Sequence, residues 1–392
     1  MNLLAHTLRI IGASLLAANL LQAAENQHAP YLSIKLEMEH AIDKGNQFLK
    51  QQQDPKGFWK NDQNPAYTAL ALTAARRSPN DADANADHIK KGYEWLVSTQ
   101  NKDGGIYVKS LANYNTSTGL MALSASGDPA HKEPILKARG FLIGLQQDWG
   151  TKGETDNAND GGIGYGSSYT HSDMSNTYLS IEALKLSESF AKDTGTKQPE
   201  LNWEAAIKFV SRTQNLEATN DFEAPKDDPG IGNDGSFVYF PGNSKAENEK
   251  HADGRDTLRG YGSMSYAGLL SFIYADLDEN DIRIKAVISW LNDNYTLEEN
   301  PGLGDQGRYY YYQVMAKALN AAGIDTLTTK DGVKHDWRNE LATRILSNQK
   351  PDGSWVNENS RWRENESELV TAFAVLTLEQ IYHSIPEARK AK

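Results

Sequence analysis

The chain has 392 residues, of which 39% are hydrophobic and 23% charged, and a formal net charge of -12. This composition is that of a globular chain rather than a membrane-embedded one. The acidic balance, without Lys/Arg clusters, argues against a nucleic-acid partner. The absence of cysteine rules out disulfides, thiolate zinc sites, a cysteine nucleophile and an internal thioester.

At the N-terminus, Arg9 supplies positive charge, Ile10 to Leu21 form an apolar stretch, and Ala23 and Ala24 offer a cleavage site. Residues 1–24 therefore read as a signal peptide, too short in its apolar run to span a bilayer. The protein is expected to be exported, periplasmic or secreted, with residues 25–392 forming one domain and no transmembrane span in the mature chain.

A repeat organises the rest. An amphipathic helix ends near Gln, a Gly-rich turn with an aromatic follows, and then comes a more apolar helix. The copies run Ala41–Gln52 then Ala66–Arg77, Ile89–Thr99 then Thr116–Ala125, and Ile135–Gln147 then Met174–Phe190. They continue with Trp203–Gln214 then Tyr261–Tyr274, Ile282–Asn294 then Arg308–Ala322, and Trp337–Asn348 then Leu369–Tyr382. The first helix of each pair carries one apolar stripe: Ile284, Val287, Ile288 and Leu291 recur at helical spacing while Arg283, Lys285 and Asp293 face water. The second is apolar on most sides, as in Leu369 to Leu378, and so should be buried. Six such hairpins predict an all-α toroid of twelve helices, with the second members as an inner ring. The longest connection, Glu217 to Asp256, is polar, and an insertion of that length is more often functional than idle.

Gln-x-x-x-Gly-x-Trp occurs at Gln53, Gly57 and Trp59 and again at Gln349, Gly353 and Trp355. A Gln amide can satisfy backbone groups at a helix end, Gly permits the reversal, and Trp packs over the junction. Tyr107, Tyr165 and Phe237 stand where other copies would place Trp, and Gly302-Leu-Gly304 has no aromatic before Tyr309. This pattern resembles the QW repeat of squalene–hopene cyclases and of the wider prenyltransferase and squalene-oxidase repeat proteins. The resemblance covers nearly the whole mature chain and implies an α/α toroid of the terpenoid-cyclase kind.

The motifs that would name an activity in that family are missing. The protonating Asp-x-Asp-Asp has its nearest match in Asp276-Leu-Asp278-Glu, between an inner helix and the next outer one, where a loop leading to an N-cap at Asp281 explains it. Asp227-Asp228-Pro-Gly lacks the third acid of a magnesium–diphosphate site, and the zinc prenyltransferases need a Cys ligand. No His-Glu-x-x-His occurs. Asp156 to Asp160 departs from a calcium loop at Ala158 and Ser167. No metal and no cofactor are expected.

The mouth of the toroid remains. Six inner-helix N-termini converge on one rim, where their partial positive charge favours anionic or strongly polar groups. The ligand-binding candidates there are Asn115, Asn176, Thr177, Arg259, Tyr261, Tyr266, Arg308, Gln313, Trp362 and Glu366, and the catalytic candidates are Asp173, Tyr309 and Tyr312. Asp173, Asn176 and Thr177 share a helical face, as do Tyr309, Tyr312 and Gln313. In the run Tyr309 to Tyr312 at most two rings can face the cavity. Asp173 reads either as an N-cap or as a buried acid with a function. The expected ligand is an isoprenoid or other amphipathic small molecule. The alternatives are a glycan-active α/α barrel (uronate polysaccharide lyase or hydrolase) and a non-catalytic scaffold binding a partner at the rim.

Overall fold

The computed structural model describes residues 31–80, 86–166 and 171–385, so the segment 1–24 read as a signal peptide lies outside the described residues. The elements are helices α1 (31–51), α2 (Pro65–Arg77), α3 (Asp87–Ser98), α4 (Ala112–Ala125), α5 (Lys132–Gly144), α6 (Met174–Leu186) and the short α7 (Glu188–Lys192). They continue with α8 (Trp203–Arg212), α9 (Gly262–Tyr274), α10 (Ile282–Asp293), α11 (Arg308–Ala321), α12 (Trp337–Ser347) and α13 (Ser367–Ser384). Two antiparallel pairs, β1 (Glu249–Lys250) with β2 (Asp256–Thr257) and β3 (Leu327–Thr328) with β4 (Lys334–His335), decorate the connections. No described helix is long and apolar enough to cross a membrane.

Helices α2, α4, α6, α9, α11 and α13 pack in that cyclic order, and α13 returns to α2, so the inner ring closes. Outer helices pack on the inner helix before them, as α3 on α2, α5 on α4 and α10 on α9, or on the one after, as α8 on α9 and α12 on α13. The fold is the α/α toroid. Inner helices are buried almost all round, Leu369 to Leu378 of α13 without interruption, whereas α10 buries Ile284, Val287, Trp290 and Leu291 along one stripe.

The repeat is a seam between neighbouring hairpins. Gln53 donates through Nε2 to Gly57 O and to His88 O, both at 2.9 Å, joining its own turn to the start of the next outer helix. Gln100, Gln146 and Gln214 do the same with Pro134, Asn202 and Arg283. Gln349 donates to Ala41 O at 2.9 Å and so closes the ring between last and first hairpins. The turn glycine must lack a side chain: at Gly353 φ is +89°, and a Cβ there would lie 2.5 Å from the Lys44 carbonyl oxygen. Trp59 and Trp355 donate their indole N–H groups to Leu49 O and Ile345 O, capping the preceding outer helix.

Three expectations need correction. The turn positions equivalent to Trp59 are Ile106 and Ile163, not Tyr107 and Tyr165, because those isoleucines pair with Gln100 and Gln146 across the turn. Each also donates its backbone N–H to an inner-helix hydroxyl, Thr116 and Thr177, as Trp59, Phe237 and Trp355 do to Thr68, Ser265 and Thr371. The stretch Met174–Phe190 breaks at Ser187, since buried Arg139 takes the Leu184 carbonyl and the Ser187 hydroxyl. In the fifth copy Asn300 replaces Gln, and its side chain turns back to Ser263 N and Ser263 Oγ of α9.

Candidate functional site

The N-terminal turns of all six inner helices surround a cavity of about 430 Å³. Its wall takes Tyr67 from α2, Tyr114 and Asn115 from α4, Ser175 and Asn176 from α6, Ser263 and Met264 from α9, Tyr310 from α11, and Leu369 and Phe373 from α13. The loop before α6 adds Tyr165 and His171, the long connection adds Tyr239 and Lys245, and Tyr261 stands at the N-cap of α9. The volume falls within the roughly 300–1,000 Å³ of small-molecule sites.

The turn before α13 forms one side of the mouth with Arg361, Trp362 and Arg363. Trp362 and Arg363 both have positive φ, 53° and 65°, a conformation that costs a non-glycine residue roughly 1–3 kcal/mol. Glu364 holds the strained turn down. Its carboxylate accepts the backbone N–H groups of Tyr309 at 3.2 Å and Tyr310 at 2.8 Å and the Asn357 amide at 2.8 Å, which caps α11 from outside.

Asp173 is fully buried at the N-cap of α6, accepting the Asn176 backbone N–H at 2.9 Å and its side-chain amide at 2.8 Å. Burial raises its pKa from 3.8 to about 6, against those two hydrogen bonds, which favour the charged form. Beside it the hydroxyls of Tyr239 and Tyr165 lie 3.1 Å apart. Burial raises the pKa of Tyr67, Tyr114, Tyr239, Tyr261 and Tyr310, so these phenols are neutral donors rather than phenolates. Two polar atoms in the cavity lack a partner among the described residues. One is Asn176 Oδ1, and the other is the Tyr310 hydroxyl, which has the Ser175 hydroxyl nearby but no hydrogen bond of good geometry.

Of the sequence candidates, the structure brings Asn115, Asn176, Tyr261 and Trp362 to the cavity wall. Glu366 is next to it, accepting the Tyr67 hydroxyl. Asp173 lies behind Asn176. The others sit elsewhere. Thr177 belongs to the repeat seam through Ile163, and Arg259 is exposed. Arg308 pairs with Asp305 at 2.8 Å, and Gln313 is buried off the cavity. In the tyrosine run only Tyr310 lines the cavity. Tyr309 packs edge-on against Tyr312, whose hydroxyl goes to Leu297 O, and Tyr311 stacks on Tyr266 and donates to Thr296 O. Tyr67, Tyr239, Lys245, Arg361, Glu364 and Phe373 were not singled out by sequence. Tyr239 and Lys245 had a signal in the length of their connection; Tyr67 and Phe373 had none beyond belonging to inner helices.

The acid motifs fall where loops were expected. Asp276 ends α9 with φ +58° and pairs with Lys185 at 2.7 Å, and Asp281 caps α10. Asp160 accepts the N–H groups of Trp149 and Asn157 within its own turn. Among the described residues no group of three or more His, Asp or Glu could hold a metal.

No protein-family model matches the chain. Lanosterol synthase erg7A of Aspergillus fumigatus is 29% identical over 126 residues, covering 28% of this chain and 17% of that protein, so the chain matches under a fifth of this relative's length. A variant of the type II terpene cyclase MstE from Scytonema, solved with its product merosterolic acid A, superposes with a TM-score of 0.53 at 12% identity over 90% of this chain and 99% of that one. Another MstE variant, solved with its substrate geranylgeranyl dihydroxybenzoate, gives a TM-score of 0.51 at 12% identity over the same shares. The chain has the fold of a terpene cyclase. A possible GH105 family member from Salmonella enterica also superposes, with a TM-score of 0.50 at 12% identity over 89% of this chain and 94% of that one. The terpene-cyclase-like toroid is thus a scaffold that more than one chemistry uses.

Proposed function

We propose that this protein binds an isoprenoid or other amphipathic small molecule in the cavity at the inner-helix N-termini. The observation that carries this reading is the wall itself: tyrosine and phenylalanine rings from a closed ring of helices enclose about 430 Å³. An aromatic wall of neutral phenols suits a long apolar ligand, and ring faces presented to it would stabilise a cationic centre. The neighbour MstE, whose substrate carries a geranylgeranyl chain, shares the fold and adds support. If the bound molecule is transformed, Asp173 is the acid with a pKa placed to exchange a proton near neutrality. We also read the protein as exported through residues 1–24, which N-terminal sequencing of the protein recovered outside the cytoplasm would check.

A glycan-active reading draws on the GH105 neighbour and on the cluster of Arg363, Tyr67 and Glu366 at the mouth. Its general base would be a tyrosine or an aspartate; burial holds these phenols protonated, which leaves Asp173 as the candidate for that role too. Mass spectrometry of small molecules co-purifying with the exported protein, run beside a uronate-polymer cleavage assay, decides between the two. Recovery of an isoprenoid-type lipid supports the proposal; cleaved uronate polymer with no lipid carried overturns it.

A further inference from the structure

The mouth of the cavity carries a local excess of positive charge that the rest of this acidic chain does not prepare for. Lys245 reaches it from the long connection, with Nζ 4.2 Å over the Tyr239 ring. Arg361 reaches it from the strained turn before α13, its guanidinium 5.2 Å from the Trp362 ring centroid. Among the described residues no carboxylate forms an ion pair with either. The two cations come close enough for Arg361 to depress the pKa of Lys245, after burial, which is the larger cause, while the buried Asp173 behind the wall acts on Lys245 in the opposite sense. Arg363, the third cation, is already engaged with the Tyr67 hydroxyl, which in turn donates to Glu366.

Two like charges held at one opening repel each other, and folding alone gives no reason to bring them together. The turn that presents Arg361 is costly in backbone terms, and Glu364 is committed to holding it. Below the cations, Asn176 Oδ1 and the Tyr310 hydroxyl are buried and unpartnered, next to the first turns of α6 and α11 with their partial positive charge. Exposed cations above and unsatisfied polar groups at helix N-termini below define a polar collar. Met264 and Leu369, at the same level of their helices, and Phe373, a turn further along α13, make the rest of the wall apolar.

Resting on the function proposed above, we infer that the ligand is an acidic amphiphile whose anionic head group, carboxylate or phosphate, sits between Lys245 and Arg361 while its apolar tail runs inward along Tyr310 and Phe373. Lys245 and Arg361 then select the charged form of the ligand, and the aromatic wall selects its tail. Both cations are exposed, so their attraction is screened by salt and weakens as ionic strength rises.

The test titrates the full chain with three probes of one tail, geranylgeraniol, geranylgeranoic acid and geranylgeranyl diphosphate, reading calorimetry and intrinsic tryptophan fluorescence. The expected result is that one or both anionic probes bind about tenfold or more tightly than the alcohol at low salt. The Lys245→Ala/Arg361→Ala double variant should lose that preference while keeping its affinity for the alcohol and its melting temperature. Whichever anion is preferred identifies the head-group chemistry. Equal binding of alcohol and anions by the unaltered protein overturns this inference and leaves the proposed function standing. A preference that survives the double variant also overturns it, because the head group then lies elsewhere. Binding of none of the three overturns the proposed function and this inference with it.

Discussion

The interior of the toroid has two polar layers built in opposite ways. About ten ångströms below the mouth, Glu182 on α6 and Lys317 on α11 form an ion pair at 3.0 Å, and the Tyr178 hydroxyl donates to the same carboxylate at 2.9 Å. Glu182 is only 2% exposed and its partners neutralise it. At the mouth neither Lys245 nor Arg361 forms an ion pair among the described residues, and Asn176 and Tyr310 leave polar atoms unmatched. This cluster of Glu182, Lys317 and Tyr178 is satisfied within the fold and ties α6 to α11 across α9. The mouth leaves its polar groups unmatched among the described residues. Polar groups that match one another serve stability; polar groups converging on a cavity without matching one another mark binding.

The contrast can be broken most decisively in the deep layer. Lys317→Met strands a buried carboxylate and should cost about 3–5 kcal/mol in urea unfolding, whereas Lys317→Met combined with Glu182→Gln should recover most of it. A small loss in the single variant would mean that the pair is not buried as described.

Asp173 lies between the layers in kind, capped yet destabilised by its burial. Its pKa is higher folded than unfolded, so the fold binds the extra proton. Stability from this group is present below pH 3.8 and falls as pH rises toward about 6, by roughly 3 kcal/mol in full. Asp173→Asn keeps the cap to Asn176 N–H, and a flipped Asn176 amide would offer its free Oδ1 to the new amide. The difference between wild-type and variant melting curves should therefore grow from pH 4 to pH 6 and then level off; a flat difference would refute the assignment.

The seam should show an intermediate effect. Gln349→Ala removes the hydrogen bonds to Ala41 O and Gly353 O, expected to cost about 2 kcal/mol and to increase amide exchange in both terminal hairpins. If the exchange stays unchanged there, ring closure rests on packing alone. The smallest effect belongs to Asp278→Asn. Asp278 accepts only the nearby Asn280 N–H in an exposed loop, so ligand binding and any turnover should be unaffected, and a dead variant would move the acid to this rim.

Much of the architecture was legible in the residues. Apolar periodicity separated inner from outer helices, and Gln53, Gly57 and Trp59 announced a seam whose geometry recurs at Gln349, Gly353 and Trp355. What misled was spacing by eye: Tyr107 and Tyr165 are close to the turn position that Ile106 and Ile163 occupy, and the wall-facing Thr177 proved to serve the seam. The site was legible as a rim but not as a membership. A run of four tyrosines says nothing about which ring faces inward until the rotation of α11 is set, and that is set by Glu364 more than fifty residues away.

Sequence alone thus determined the repeat, the helical pairing and the end of the ring where polar and aromatic side chains gather, because periodicity and turn chemistry are local. Only the tertiary structure decided that Tyr310 faces the cavity while Tyr309 and Tyr312 do not, and that Lys245 and Arg361 share its mouth. Those facts depend on helix rotation and on loops that meet across the ring, which are set by contacts between segments far apart in the chain, as Glu364 with Tyr310 and Lys245 with Arg361.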